Sequence, residues 1–123
     1  MEMITEKYLR EHPQEVFVFG DNLYRVGDGG AAKLRHFKNT YGFVTKKKPT
    51  HNAEDYYTPQ EYDSVYYEEL AELKLTIAVQ PEKTFLISKI GAGLANKFNI
   101  FEKIIEPRIK HDLAQFKNVR FLW

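Results

Sequence analysis

Apolar residues along this chain gather in short unbroken runs, set between longer stretches where they recur every three or four positions. Val16-Phe17-Val18-Phe19, between His12-Pro13-Gln14 and Gly20-Asp21-Asn22, shows no alternation and is rich in β-branched and aromatic residues. Such a run predicts a strand covered on both faces, as in a parallel sheet. Gly42–Thr45, Thr84–Ser88 and Val119–Leu122 predict three more strands. Helical spacing fills the intervals. Ile4–Glu11 predicts a short first helix, and Ala31–Thr40 a second, with Leu34 and Phe37 sharing a face with Tyr41. Thr58-Pro59-Gln60-Glu61 supplies an N-cap, a first-turn proline and a capping-box glutamate. The helix or helix pair that follows should run to about Val79, with Tyr62, Val65, Tyr66, Leu70, Leu73 and Ile77 inward. Asn99 and Glu102 repeat the capping pattern and open a helix to about Leu113, which Pro107 should kink or divide. The order αβαβαβαβ predicts an α/β fold, a three-layer arrangement around a mostly parallel sheet. Ligands of such sheets bind beyond the carboxyl ends of the strands.

A length of 123 residues suits one domain. With 43% hydrophobic and 28% charged residues, the composition is that of a folded chain without a large disordered part. Eighteen Lys and Arg against seventeen Asp and Glu leave a formal charge of +1. There is no global field to hold a nucleic-acid backbone or a membrane, so an anion site has to be local. The absence of cysteine removes disulfides, thiolate metal sites and cysteine nucleophiles. His12, His36, His51 and His111 show no metal-ligand spacing, so neither a metal nor another cofactor is expected. The first residues lack the basic-then-apolar pattern of a signal peptide, and no apolar run approaches the roughly 20 residues of a membrane span. A cytoplasmic location is the default expectation.

Six of the seven glycines lie just after predicted strands: Gly20, Gly27, Gly29 and Gly30 after the first, Gly91 and Gly93 after the third. They form two loops, Val26–Ala31 and Ile90–Ala95. Glycine lets a ligand approach the main chain, and amides at a helix start favour an anion. Tight turns alone would account for either loop, whereas two at one sheet edge point to a phosphate or diphosphate. Neither loop has the spacing of a Walker motif or of Gly-x-Gly-x-x-Gly. Arg25, Lys33 and Lys89 are placed to neutralise phosphate oxygens, Lys89 best of the three. Asp21 and Asp28 are candidates for a general base or a sugar-hydroxyl acceptor, with turn and N-terminal capping as the simpler reading. Ser88 and Ser64 lack the flanking pattern of a nucleophile elbow.

Phe17–Leu23, Gly27–Lys33 and Phe85–Ala95, taken in order, resemble a set of small phage and bacterial proteins distantly similar to macro domains, which bind ADP-ribose and related nucleotides. Some macro domains hydrolyse ADP-ribosyl esters or ADP-ribose phosphates. The resemblance touches about two-thirds of the chain and implies a macro-like or, more generally, Rossmann-like fold. It implies that Asn22 stands near the distal ribose and that Gly27–Ala31 flanks that ribose and the diphosphate. Ser88, Lys89, Ile90, Gly91, Ala92, Gly93, Leu94 and Ala95 would cradle phosphate, with Phe98 beside a ribose or base. Asn22, Asp21 and Asp28 would be the catalytic candidates if the ligand is hydrolysed. The place of action would then be the cytoplasm, that of the host for a phage-borne gene. The pattern departs from the family in having Asp21-Asn22 for Ala-Ala-Asn and in lacking the Gly-Asp-Ile stretch that supplies the adenine-binding aspartate.

A competing reading uses Lys46–Tyr67, where Lys46-Lys47-Lys48 precedes five tyrosines, as in single-strand nucleic-acid binders. Glu54, Asp55, Glu61, Asp63, Glu68 and Glu69 among them would repel phosphates, and helical spacing assigns Tyr62 and Tyr66 to packing. A protein partner for this face stays open, as does a lid role for Lys46–Tyr57. Phe121-Leu122-Trp123 reads as a last strand with a packed indole, or as a contact between copies of the chain.

Overall fold

The unbroken apolar runs become the four strands of one parallel sheet in the computed structural model, which describes residues 3–123. The strands are β1 (Glu15–Asn22), β2 (Thr40–Lys46), β3 (Thr84–Ile87) and β4 (Val119–Phe121), in the order β2-β1-β3-β4. All three pairings are parallel. Because successive side chains alternate in direction, β1 sends Val16 and Val18 to one face and Phe17 and Phe19 to the other, and β3 divides Phe85 and Ile87 from Leu86 in the same way. Both faces are covered, which is why neither strand alternates in sequence. The three-layer α/β arrangement is the one expected.

One face carries α1 (Glu6–Glu11) and a 3-10 turn at Gly30–Leu34, which place Leu9, Ala32 and Leu34 against Phe17, Phe19 and Leu86. The other carries α2 (Pro59–Ala78) and the short α3 (Ile109–Asp112). Thr58 caps α2 in the predicted capping box with Glu61, and Tyr62, Tyr66, Leu70, Leu73 and Ile77 form its buried stripe. The tyrosines are held by their polar ends as well: Tyr62 donates to the Val44 carbonyl and Tyr66 to Asp112. Burial pushes the Tyr62 hydroxyl far above its ordinary pKa, so it remains a donor. Glu69, also on α2, accepts the Val44 amide at 2.7 Å. Among the described residues no helix is long and apolar enough to cross a membrane.

Two predicted helices are replaced by other turns, one tighter than an α-helix and one wider. The segment expected to be helical over Ala31–Thr40 makes only the 3-10 turn, then further turns. Arg35 reaches back to Asp21 and to the carbonyls of Val26 and Gly27, while the Thr40 hydroxyl donates to the Phe37 carbonyl. Tyr41 accordingly lies in β2, after Thr40, and packs on the α2 face, opposite Leu34 and Phe37. The helix expected over Asn99–Leu113 is a π-helical turn at Phe101–Ile105 followed by α3. Pro107 has no amide to continue the helical bonding, and just before it the Glu106 amide takes the i−5 carbonyl of Phe101 at 2.8 Å.

Asn99 is not the cap either: it sits at φ 64°, and among the described residues its side chain accepts no amide of that turn. Asn96 caps instead, accepting the Phe101 amide at 3.0 Å and donating to Glu102. Removing it frees an amide at the start of that turn, so Asn96→Ala should cost about 1 kcal/mol in a denaturant melt, and Asn99→Ala should not reproduce that loss through capping.

Candidate functional site

The topology makes a crevice at one place on the carboxyl edge. From β1 the chain moves outward to β2, and from β3 it moves the other way to β4, so the loops after β1 and β3 diverge at a switch point. A cleft of about 940 Å³ opens there, within the range of small-molecule sites. Both predicted glycine loops line it, as do Thr45, Lys46, Pro49 and His51 from the end of β2 and the loop beyond.

Gly20 lets these parts converge, because a Cβ there would lie 3.1 Å from Thr45 Oγ1 and 3.5 Å from the Gly91 amide nitrogen. The two glycine loops also meet each other: Leu94, itself exposed, comes within 3.0 Å of where a Gly29 Cβ would stand. Gly91 has φ +80°, and a Cβ on it would fall 2.6 Å from Ile105 on the π-helical turn. Gly27 and Gly30 are likewise left-handed.

Among the described residues the amides of Gly27, Asp28, Gly29, Gly91, Gly93 and Leu94 donate to no group of the protein. The first loop does not, however, open a regular helix. Its 3-10 turn is five residues long with Gly29 at the cap and no side-chain cap bond, so Asp28 does not cap it and a helix dipole adds little.

The polar side chains expected in the site divide sharply. Asp21 is buried and fully engaged: its carboxylate takes Arg35 at 2.8 and 3.0 Å and the Asn22 amide at 2.8 Å, with Arg25 at 3.6 Å. Such a carboxylate is an anchor for the loop, without the free oxygen that a base needs. Asn22 is also spent locally, donating to the Val26 carbonyl and accepting the Tyr24 amide, which shapes the turn leading into Gly27. Asp28 lines the cleft, and its carboxylate makes no hydrogen bond or ion pair among the described residues.

Of the three expected cations only Lys89 lines the cleft, its ammonium 5.2 Å from the Phe101 ring. Arg25 is turned to Asp21, Glu69 and the Gly42 carbonyl. Lys33 lines an adjoining hollow of about 740 Å³ with Ile4, Phe17, Leu34 and Leu122. The Ser88 hydroxyl donates to the Val18 carbonyl at 2.7 Å while the residue lines both spaces. Ile90, Ala92 and Ala95 complete the wall; Phe98 stands outside it, edge-on to Tyr56.

Thr45, Pro49 and His51 were not singled out by their sequence pattern. Their signal was topological: β2 is parallel to β1, so the loop leaving it must emerge at the same edge. The Lys46–Tyr67 face looks different from a base-stacking platform, with Tyr56, Tyr57, Tyr62 and Tyr66 buried and Lys47 paired with Glu61 at 2.8 Å.

A model of a protein family described as "Family of unknown function (DUF7831)" matches residues 1–96, which include every residue lining the cleft. No curated protein and no solved structure matches the chain.

Proposed function

The chain belongs to the family of unknown function DUF7831, and we propose from its own residues that it binds a phosphorylated nucleotide of the ADP-ribose kind in the cleft between β1 and β3. The observation that carries this reading is the group of unpartnered amides, those of Gly27, Asp28, Gly29, Gly91, Gly93 and Leu94 among them, contributed by two loops to one crevice at a topological switch point. Amides without internal acceptors favour the several oxygens of a phosphate or diphosphate, and they need no net positive charge on the protein. Asp28 is the acid with free oxygens to accept from a ribose hydroxyl, since Asn22 and Asp21 are committed to the loop. Binding is what the amides support. Hydrolysis would require a base in addition, and Asp28, which lines the cleft with free oxygens, is placed to take a proton from water.

Thermal shift and calorimetry against ADP-ribose, ADP, NAD, AMP and a short single-stranded oligonucleotide test the reading directly. A ligand at 100 times its dissociation constant should add about 2.7 kcal/mol of stability. We expect that gain from at least one diphosphate-bearing nucleotide. Response to the oligonucleotide alone would reject the cleft in favour of the Lys46–Tyr67 face.

A further inference from the structure

Lys46 ends β2 with an unusual surrounding for a lysine. The residue is 8% exposed, yet it lines the cleft. Its ammonium donates to the Thr50 carbonyl at 2.7 Å and lies 4.3 Å from the centre of the Tyr56 ring. Among the described residues no carboxylate oxygen lies within 4.0 Å of it. Asp55 is the acid whose field it feels, but that carboxylate accepts the Thr50 hydroxyl and the Asn52 amide. An ammonium has three donors, and lysine is rarely buried unless paired. Among the described residues one donor is used here and no carboxylate pairs with the charge directly, Asp55 acting on it only through its field.

We propose that Lys46 is the residue that neutralises a phosphoryl group of the bound ligand, reaching it from the β2 side of the cleft. This rests on the nucleotide reading above and adds to it the group that selects charged ligands.

The surroundings hold the ammonium in place before any ligand arrives. Lys46 bridges to Tyr56, the Lys47 amide donates to the Asp55 carbonyl at 2.9 Å, and Asn52 and Asp55 cap one another. Burial pushes the Lys46 pKa below the ordinary lysine range, so the empty protein carries this charge at some cost to its stability. An arriving anion relieves that cost. Sites tuned for function in this way gain stability when the strained group is removed.

Calorimetric titration of ADP and of inorganic pyrophosphate into wild type, Lys46→Met and Lys46→Arg decides the matter, with the melting temperature of each free protein measured alongside. A charge-assisted hydrogen bond contributes about 1.5–3 kcal/mol, so Lys46→Met should weaken both probes by about tenfold or more. The free Lys46→Met protein should melt no lower than wild type, and Lys46→Arg should recover much of the affinity. If Lys46→Met binds both probes within twofold of wild type, this inference falls and the cleft reading stands. If Lys46→Met loses affinity and also melts well below wild type, Lys46 is a loop anchor, and the inference falls again. Wild type that binds neither these probes nor ADP-ribose removes the nucleotide reading, and the role of Lys46 with it.

Discussion

Asp21→Asn should lower the melting temperature by about 10 °C, the equivalent of about 3 kcal/mol. The side chain is 2% exposed and holds Arg35 through both oxygens, while Arg35 also binds the carbonyls of Val26 and Gly27. An amide in that place offers one acceptor where two are needed and turns a donor toward a guanidinium. What remains is a half-buried cation without its counter-charge, the condition that makes breaking such a pair worse than never having built it. Arg35 keeps its two carbonyl contacts, which is why the expected loss sits at the low end of the range for buried pairs. A double-mutant cycle with Arg35→Met should show coupling of about 1–3 kcal/mol. The same variant separates two roles for Asp21. A general base would leave a stable, inactive protein on replacement, so a melting temperature within about 2 °C of wild type would defeat the anchoring account.

The second large effect is on binding. Gly93→Phe should weaken the best nucleotide ligand at least about a hundredfold, or some 2.7 kcal/mol, with little change in stability. Gly93 lines the cleft, and a Cβ added to it meets no atom within 4 Å. A ring there takes up volume that a ligand needs and displaces nothing of the protein. Gly91, two residues earlier, is a poor probe for the opposite reason. Its φ of +80° and the contact of a Cβ with Ile105 at 2.6 Å mean that Gly91→Val injures the fold itself. The left-handed conformation costs about 1–2 kcal/mol for such a residue before any overpacking is counted. Unchanged affinity in Gly93→Phe would mean that the ligand does not use the second glycine loop.

The sheet was legible because its strands are short, apolar and covered on both sides, so Val16–Phe19 and Phe85–Ile87 could be read without knowing their neighbours. The start of α2 was legible for a different reason: Thr58, Pro59 and Glu61 act within one turn. Helical periodicity failed where a distant partner decides the backbone. Arg35 is drawn to Asp21, 14 positions back, and no local pattern announces that attraction. Likewise Asn96 outcompetes Asn99 as a cap because it reaches the Phe101 amide and Glu102 together. The glycine loops of the candidate site were visible as composition. Their third wall was visible only as the open lid reading of Lys46–Tyr57, because Lys46, Pro49 and His51 join the cleft through the parallel pairing of β2 with β1.

β2 lies at the margin of the sheet, where exposed main-chain groups would serve as a template for a strand from another molecule. Here Val44 has its amide taken by Glu69 and its carbonyl by Tyr62, and Lys46 is bridged to Tyr56. Side chains of α2 thus seal this margin against polymerisation and against strand exchange between molecules. Growth of the sheet by a foreign strand is left to β4, whose three residues offer a short and weak foothold.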